Sequence, residues 1–344
     1  MKKHVRRAVA MAAALACAVA AAGCGPQAGE DRTTRTRFLL GTVVTLTAYQ
    51  SGAEETLDRA FERIGQIEDE MSAHKPDSQI GRLNAEGTAR LTADVFFVLE
   101  RALSMAALSG GAFDPTVLPL SRLWGIDGET KQKKVPPADE VGKARALVDY
   151  KKVALDGKTG TATLKKGMGV DLGGIAKGYA ADEAWRIFRE DGVKSAVLDL
   201  GGNVVAIGTR PDGRPWRIGI RDPRAQPEGA HYAVLALSDE AAVTSGDYQR
   251  YFEADGLRYH HIFDTSTGYP ARNGVVSATI VSKDSTTADA LSTAVFVLGV
   301  EKGLALVESV EGTEALVVTE DKKVYATPGI RDRVEMASTE YTLQ

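Results

Sequence analysis

Cysteine is scarce in this chain of 344 residues, which contains only Cys17 and Cys24. Both lie in or beside an apolar N-terminal run, so the remaining sequence predicts no disulfide and has no CxxC motif of a redox protein. The HExxH motif of zinc proteases and the GxSxG motif of α/β-hydrolases are absent as well. These absences exclude three common catalytic classes and predict a mature chain stabilised by its hydrophobic core.

Basic charge is also in short supply. The chain has 42 Lys and Arg against 46 Asp and Glu. Loss of residues 1–23, which hold four basic and no acidic residues, would leave 38 against 46, a net charge of −8. An acidic chain without a basic run does not suit nucleic acid as a partner. Beyond residue 23 no apolar run approaches the roughly 20 residues of a membrane span.

The N-terminus predicts export and lipid attachment. Four basic residues precede a mostly apolar run over 8–22, which is too short for a membrane span and typical of a signal peptide. Ala21, Ala22 and Gly23 then precede Cys24, an arrangement similar to a lipobox. We expect lipidation of Cys24, which would explain a lone thiol in an oxidising compartment. The alternative is an ordinary cleaved signal, since Leu is usual where Ala21 stands.

Composition changes again near residue 37. Residues 25–36 are polar and aperiodic, so residues 24–36 are predicted to be a lipidated cysteine and a flexible tether. Residues 37–344 are enough for a large core, in one domain or two subdomains. Predicted strands there follow one another in meanders between helices, which favours an α+β fold with largely antiparallel sheets.

Hydrophobic spacing predicts the individual elements. Residues 37–49 are typical of a strand, and residues 53–71 place apolar side chains at helical spacing. Thr92 is predicted to cap a second helix that ends before Gly110. Further predicted strands are 152–156, 161–170, 195–200, 203–208, 215–221, 232–237, 241–244 and two near 314–326, and further helices are 174–190, 286–298 and 300–309. Residues 131–140 are charged and contain proline, which predicts an exposed excursion.

The segment GVDLGGIAKGYAAD, residues 169–182, is the first candidate site. We predict a strand that ends at Leu172, a turn at Gly173–Gly174 and a helix start, where free N–H groups and the helix dipole favour an anion. Lys177 in the first helical turn could reach a phosphate or a carboxylate. The spacing fits neither a Walker loop nor a dinucleotide-binding fingerprint. A tight turn that merely needs glycine is an equally good interpretation.

The segment TTADALSTA, residues 286–294, is the second candidate. Asp289 and Thr293 are four residues apart and would share one face of a predicted helix. Their oxygen atoms suit a hard cation such as Mg²⁺, and the turn at Gly173–Gly174 could add a backbone carbonyl. On spacing alone, a buried hydrogen-bonded Asp–Thr pair is the simpler interpretation.

Histidine supplies the third candidate. The chain has five histidines, of which His260 and His261 are adjacent and are followed by Asp264. A neutral imidazole at His261 could accept a proton from a hydroxyl nucleophile. A structural histidine bonded to Asp264 is an equally good interpretation. His74 is isolated after the first predicted helix, where a surface or pocket-lining position is expected.

Seven segments together resemble the ApbE family of flavin transferases, which cleave FAD and attach FMN to a threonine of a target protein. They run in the family's order from about residue 39 to 299: LLGTVVTLTAY, EDEMSAHKPDSQIGRLN, GGAFDPTVLPLSRLWG, GVDLGGIAKGYAAD, LDLGGNV, TSGDYQRYFEADGLRYHHIFDTSTGYP and STTADALSTAVFVLG. The resemblance implies an ApbE-like, T-fold-like α+β domain that uses FAD as substrate and Mg²⁺ as cofactor. A lipoprotein signal is common in that family.

The resemblance also implies site residues. The implied FAD contacts are Leu40, His74, Ala112, Phe113, Asp114, Asp171, Lys177 and Ile262, and the implied Mg²⁺ ligands are Gly174, Asp289, Ser292 and Thr293. His261 would be the catalytic base, AMP would leave, and FMN would remain on a Thr or Ser through a phosphoester. Two positions depart from the family: His74 replaces the usual Tyr or Trp, and Leu40 replaces a common Met.

The implied partners are flavin-acceptor proteins, of the kind found as subunits of membrane-bound redox complexes, at the periplasmic or extracytoplasmic side of a membrane. Two other functions compete with transfer. One is an FAD pyrophosphatase that releases FMN and AMP, which the imidazole of His74 brings into consideration. The other is a non-catalytic flavin-binding lipoprotein, against which the presence of His261, Asp289 and Thr293 speaks.

Overall fold

The computed structural model describes residues 32–126, 134–225 and 229–344. The predicted signal peptide, Cys24 and most of the predicted tether lie outside the described residues. The strands are β1 (Thr33–Leu39), β2 (Thr42–Ala48), β3 (Thr88–Arg90), β4 (Ala154–Asp156), β5 (Thr161–Thr163), β6 (Ser195–Leu200), β7 (Asn203–Gly208), β8 (Trp216–Arg221), β9 (His231–Leu237), β10 (Glu240–Gly246), β11 (Tyr251–Ala254), β12 (Leu257–His260), β13 (Phe263–Asp264), β14 (Tyr269–Pro270), β15 (Val275–Ser282), β16 (Thr313–Thr319), β17 (Lys323–Ala326), β18 (Val334–Met336) and β19 (Thr342–Leu343). The helices are α1 (Glu54–Met71), α2 (Gln79–Glu86), α3 (Ala93–Leu108), α4 (Leu118–Trp124), α5 (Ala138–Arg145), α6 (Ala176–Glu190), α7 (Ser285–Leu298) and α8 (Val300–Glu308), with short 3₁₀ helices at Tyr150–Lys152 and Pro328–Arg333.

A nine-stranded sheet forms the centre of the molecule, in the order β1-β2-β6-β7-β10-β15-β16-β17-β19. Its neighbouring strands are antiparallel except for β17 and β19, which are parallel. A second sheet has the order β18-β9-β8. Helices and mostly antiparallel sheets together confirm the predicted α+β class.

The two faces of the central sheet are covered differently. Successive side chains of a strand point to opposite faces, so Val205 and Ile207 of β7 join the core beneath the helices while Ala206 joins a separate core. That second core includes Trp216 and Tyr232 of the small sheet. The helices that carry the candidate site therefore lie on one face of the central sheet, and the small sheet covers the other.

The helical spacing over 53–71 is confirmed as α1, whose apolar stripe is buried because it faces the sheet and α6. The strand predicted over 37–49 is a hairpin instead. Leu40 and Gly41 have φ angles of 54° and 68° and turn the chain between β1 and β2. Residues 33–36, which the composition placed in the tether, pair with β2 as part of β1.

Two other predictions are corrected. The strand predicted over 161–170 is shorter, since β5 ends at Thr163, and the chain reaches Leu172 without a strand. Part of the excursion predicted at 131–140 is the start of α5. None of the helices in the described part of the chain combines the length and apolarity that a bilayer crossing needs.

Candidate active site

The start of α6 is the first part of the site. Asp171 is anchored by its backbone N–H, which donates to the carbonyl of Pro115 at 2.8 Å, and its Oδ1 accepts from the N–H of Gly173 at 2.8 Å. The Gly173–Gly174 turn follows as predicted, and Lys177 folds back so that its Nζ lies 3.3 Å from the Gly173 carbonyl oxygen. Lys177, in the first turn of α6, therefore places a cation beside the glycine turn.

The anion at this helix start is a carboxylate of the protein itself. Asp289 of α7 is 3% exposed. Its Oδ2 accepts from the backbone N–H of Gly178 at 2.9 Å, and its Oδ1 lies 3.5 Å from Lys177 Nζ. The first turn of a helix leaves its N–H groups without intrahelical acceptors, so Asp289 caps α6. Of the two anions considered for Lys177, the structure places the carboxylate within reach.

Hydroxyl groups surround the next turn of α7. Thr293 Oγ1 lies 3.4 Å from Ser245 Oγ of β10. The Ser292 hydroxyl is fully buried, donates to the Asp289 carbonyl at 2.8 Å and lies 2.8 Å from Ser245 Oγ. Ser292 is thus beside the other predicted ligands, with its hydroxyl engaged by protein groups. Ser245 is a site residue that the spacing of the sequence did not reveal.

Gly174 connects this hydroxyl cluster to the segment GGAFD. A Cβ added to Gly174 would lie 3.5 Å from Thr293 Oγ1 and 3.1 Å from the ring of Phe113. The sequence-predicted residues Gly174, Thr293 and Phe113 are therefore neighbours in space. The absence of a side chain at Gly174 keeps the backbone close to the threonine hydroxyl.

The oxygen donors at this site suit a Mg²⁺ ion that is coordinated partly by the protein and partly by a bound phosphate. They are too few to coordinate the ion by protein groups alone. Within the described ranges no group of three or more His, Cys, Asp or Glu side chains comes together. Asp289 Oδ1, Thr293 Oγ1 and the Gly174 carbonyl are oxygen donors, which Mg²⁺ prefers, and this ion usually combines one or two carboxylates with water and substrate phosphates. The residues present therefore fit Mg²⁺ together with a phosphate ligand.

Asp114 has a structural position in the segment GGAFD. Its Oδ1 accepts from the N–H and the hydroxyl of Thr116 at 2.8 and 2.6 Å, and its Oδ2 accepts from the N–H of Tyr150 at 3.1 Å. Burial raises the pKa of this carboxyl above its usual value. The carboxylate thus shapes the loop that presents Phe113, which is buried, and Ala112, which is partly exposed. Its role as an FAD contact stays a prediction.

His261 follows directly after β12 and is half-buried. Its Nδ1 lies 3.3 Å from the carbonyl oxygen of Arg250, and its backbone N–H donates to the same oxygen at 3.2 Å. A carbonyl only accepts, so this contact requires a proton on Nδ1 and leaves the basic lone pair on Nε2. In this tautomer of the neutral ring, Nε2 is the nitrogen that can accept a proton.

Asp264 organises the turn that follows. Its Oδ1 accepts from the N–H and the hydroxyl of Ser266 at 2.9 and 2.6 Å. The neighbouring Thr265 donates its hydroxyl to the Gly111 carbonyl at 2.7 Å. This contact joins the histidine segment to the segment GGAFD, so two sequence motifs separated by about 150 residues meet in one place.

His260 holds this segment from inside the core. Its Nε2 donates to the Ala271 carbonyl at 3.0 Å, and its Nδ1 accepts from the Ile262 N–H at 3.3 Å. The ring meets Phe296 of α7 edge-on, with centroids 5.3 Å apart. Burial lowers the pKa of His260, which favours the neutral ring. The Ile262 side chain is also buried. His260 thereby connects the segment of His261 to the helix of Asp289.

The remaining predicted contacts lie near the C-terminal end of α1. Leu40 donates its backbone N–H to Glu68 Oε2 at 3.1 Å, and Lys75 Nζ lies 3.2 Å from Glu68 Oε1. His74 is exposed, and its backbone N–H donates to Ser72 Oγ at 3.2 Å. Leu40 and His74 thus both belong to a surface region arranged around Glu68, which we call the rim.

An α+β domain in which a lysine–carboxylate pair lies at a glycine-lined helix start, with a histidine held nearby, is suited to an enzyme that acts on an anionic substrate. A model of the ApbE family matches residues 40–317. The FAD:protein FMN transferase of Treponema pallidum is 37% identical over 352 residues, covering 96% of each chain. This chain belongs to the ApbE family.

Solved structures agree with the sequence comparison. The ApbE protein of Thermotoga maritima superimposes with a TM-score of 0.82 at 35% identity, covering 88% of this chain and 99% of that one. The flavin transferase ApbE of Vibrio cholerae gives a TM-score of 0.79 at 28% identity, with the same coverage. The predicted family and fold are therefore confirmed.

Proposed function

We propose that this protein transfers FMN from FAD to a Thr or Ser hydroxyl of an acceptor protein, with Mg²⁺ as cofactor and AMP as leaving group. The observation that carries the proposal is the convergence of Lys177, Asp289 and Thr293 at the Gly173–Gly174 turn in a chain of the ApbE family. Phosphoryl transfer depends on charge neutralisation and positioning, which such a set supplies.

Each residue has a distinct task in this proposal. Asp289, Thr293 and the Gly174 carbonyl would hold Mg²⁺, which when bound would neutralise charge on the diphosphate of FAD. Lys177 would add a second positive charge beside the same phosphate oxygens. His261, with its lone pair on Nε2, would take the proton from the acceptor hydroxyl, which is otherwise a poor nucleophile. The hydroxyl oxygen then bonds to the FMN phosphorus as the bond to the AMP oxygen breaks.

The test is an incubation of the full chain, purified in detergent, with FAD, Mg²⁺ and a flavin-acceptor domain. We expect covalently yellow acceptor and one AMP for each flavin attached. The exposed rim at His74 gives a specific reason to measure hydrolysis in parallel, because a site open to water could use it as acceptor. Free FMN and AMP with an unlabelled acceptor would show an FAD pyrophosphatase and contradict transfer.

His261→Ala is the sharpest variant for the proposed mechanism. Loss of a general base reduces rates by roughly 10²–10⁴-fold, so transfer should fall by that factor while FAD binding, measured by flavin fluorescence, is unchanged. His231→Ala is a matched control, since His231 is an exposed histidine of β9 on the small sheet. Full transfer by His261→Ala would remove this residue from the catalytic role.

We also propose export and lipid anchoring at Cys24, which would hold the enzyme near membrane-bound acceptors and raise their effective concentration. Metabolic labelling with a radioactive fatty acid should mark the wild type and leave Cys24→Ser unlabelled. Labelling of both proteins, or of neither, would contradict the lipobox interpretation.

A further inference from the structure

We propose that Asp182 is a positioning residue that sets the orientation of the Asp289 carboxylate, because α6 and α7 cap each other's N-termini through these two side chains. The inference rests on the proposed function, since it assigns Asp289 to the Mg²⁺ and phosphate site. Asp182 is the last residue of the segment GVDLGGIAKGYAAD, residues 169–182.

The first half of this reciprocal contact is made by Asp182. Its Oδ1 accepts from the backbone N–H of Ser285 at 2.9 Å. Its Oδ2 accepts from the N–H of Thr286 at 2.8 Å and from the Thr286 hydroxyl at 2.6 Å. These are the first two N–H groups of α7, which have no acceptor within their own helix. One carboxylate of α6 thus holds the beginning of α7.

The second half is made by Asp289, one helical turn after Ser285. Its Oδ2 accepts from the N–H of Gly178, in the first turn of α6. Gly178 and Asp182 are four residues apart, so they lie on the same face of α6. A Cβ at Gly178 would lie 2.2 Å from the Ser285 carbonyl oxygen and 2.8 Å from Asp289 Cβ. The helices therefore meet without a side chain between them at this point.

The two halves together restrict the Asp289 carboxylate. Gly178 engages Oδ2, so Oδ1 is the oxygen that lies beside Lys177 and is directed to the ligand site. Ser285, Asp289 and Thr293 follow one another at intervals of one turn along α7. A shift of the N-terminus of α7 would displace Asp289 and Thr293 together. Asp182 opposes that shift from α6, and Asp284, which accepts from the Thr287 N–H and pairs with Arg101, opposes it from the other side of the cap.

Asp182→Asn is the appropriate variant, because it keeps the size of the side chain and replaces one acceptor oxygen with an amide that faces an N–H donor. The measurement is a Mg²⁺ titration of the full chain in the presence of FAD, followed by flavin fluorescence. Residues that orient metal ligands affect affinity by roughly 10–100-fold. We expect about a tenfold weaker apparent Mg²⁺ affinity, with FAD binding in EDTA unchanged.

Asp191→Asn is the matched control. Asp191 also joins α6 to another helix through a hydrogen bond, since it accepts from the Thr56 hydroxyl of α1 at 2.8 Å, but it lies at the far end of α6. It should reduce thermal stability without a change in Mg²⁺ affinity. Thr286→Val removes only the hydroxyl bond to Asp182 and should give a smaller effect than Asp182→Asn in the same direction, which keeps the test valid if Asp182→Asn folds poorly.

The outcomes separate the inference from the proposed function. A wild type that binds no Mg²⁺ with FAD would contradict the proposed site and the inference together. A wild type that binds Mg²⁺, with the same affinity in folded Asp182→Asn and Thr286→Val, would overturn the inference alone. Equal losses in Asp182→Asn and Asp191→Asn would also overturn it, because the effect would then be general destabilisation.

Discussion

The contact between α6 and α7 and the rim around Glu68 both contribute predicted site residues, but they are built in opposite ways. At the α6–α7 contact, Asp289 is 3% exposed, accepts from the Gly178 N–H at 2.9 Å and lies 3.5 Å from Lys177 Nζ. At the rim, His74 is exposed, the backbone N–H groups of His74 and Leu40 donate to Ser72 and Glu68, and Lys75 pairs with Glu68 at the surface. The site residues of the first region are buried and closely packed, whereas those of the second are accessible to solvent.

The contrast between the two regions predicts which substitutions have large effects on stability. A buried charge loses its partners when its surroundings change, and an unsatisfied buried polar group costs about 1–3 kcal/mol. When an exposed side chain is replaced, water fills the space. Such surface substitutions usually change the free energy of unfolding by no more than about 0.5 kcal/mol. Variants of the α6–α7 contact should therefore alter both folding and chemistry, whereas variants of the rim should alter ligand binding alone.

Asp289→Asn should have the largest effect. The amide keeps the shape but removes the negative charge that pairs with Lys177 and to which the proposed function assigns Mg²⁺. Loss of one preorganised electrostatic group in an active site lowers rates by roughly 10²–10³-fold, and we expect FMN transfer to fall by at least this factor. Transfer rates at saturating Mg²⁺ measure the effect, and activity within tenfold of the wild type would contradict the assigned role.

Gly178→Ala should destabilise the fold, and Gly65→Ala should not. A methyl group at Gly178 would overlap the Ser285 carbonyl oxygen, and overpacking of this kind costs about 1–3 kcal/mol. Gly65 lies in α1 with no atom within 4 Å of an added Cβ. Alanine there should stabilise the helix by up to about 1 kcal/mol. Denaturant unfolding should show a lower free energy of unfolding for Gly178→Ala and a higher one for Gly65→Ala. Equal changes in the two variants would contradict the close approach of α7 to Gly178.

The titration of Asp182 should make stability depend on pH. Burial raises the pKa of this carboxyl from 3.8 to about 6, although Ser285 and Thr286 donate to it and oppose the shift. A group whose folded pKa is raised contributes stability below its unfolded pKa, and that contribution is lost as pH rises to the folded pKa. Between pH 4 and 6 the wild type should therefore lose stability relative to Asp182→Asn. Melting temperatures of both proteins at several pH values measure this loss. A difference in melting temperature that does not change between pH 4 and 6 would contradict the raised pKa of Asp182.

Sequence spacing was sufficient for features that depend on local pattern. The apolar residues of α1 lie at helical intervals because one face of that helix is buried, and the prediction over 53–71 agrees with Glu54–Met71. The spacing of four residues between Asp289 and Thr293 likewise predicts one face of a helix, and both residues lie in α7. The spacing of apolar residues predicts such a helix correctly because one side of it faces the core.

Features that depend on the tertiary environment were missed. β15 is buried at all eight positions because helices cover one face and the small sheet covers the other. Its sequence VVSATIVS therefore lacks the alternation that marks a half-exposed strand. Ser245 and Asp182 were missed because their partners lie about 50 and 100 residues away along the chain. Such contacts have no local pattern from which they could be predicted.

His74→Tyr should have the smallest effect on folding and a selective effect on binding. His74 is exposed, so its replacement should leave the unfolding free energy within about 0.5 kcal/mol of the wild type. A larger aromatic face gains roughly 0.5–1.5 kcal/mol when it stacks on another ring, and FAD should bind about threefold more tightly. Flavin fluorescence titration in EDTA measures this, and Leu40→Met, a volume-conserving change at the same rim, is the control with no expected gain. Unchanged FAD affinity in His74→Tyr would show that this side chain does not contact the flavin nucleotide, and Leu40 would then be the remaining predicted FAD contact at the rim.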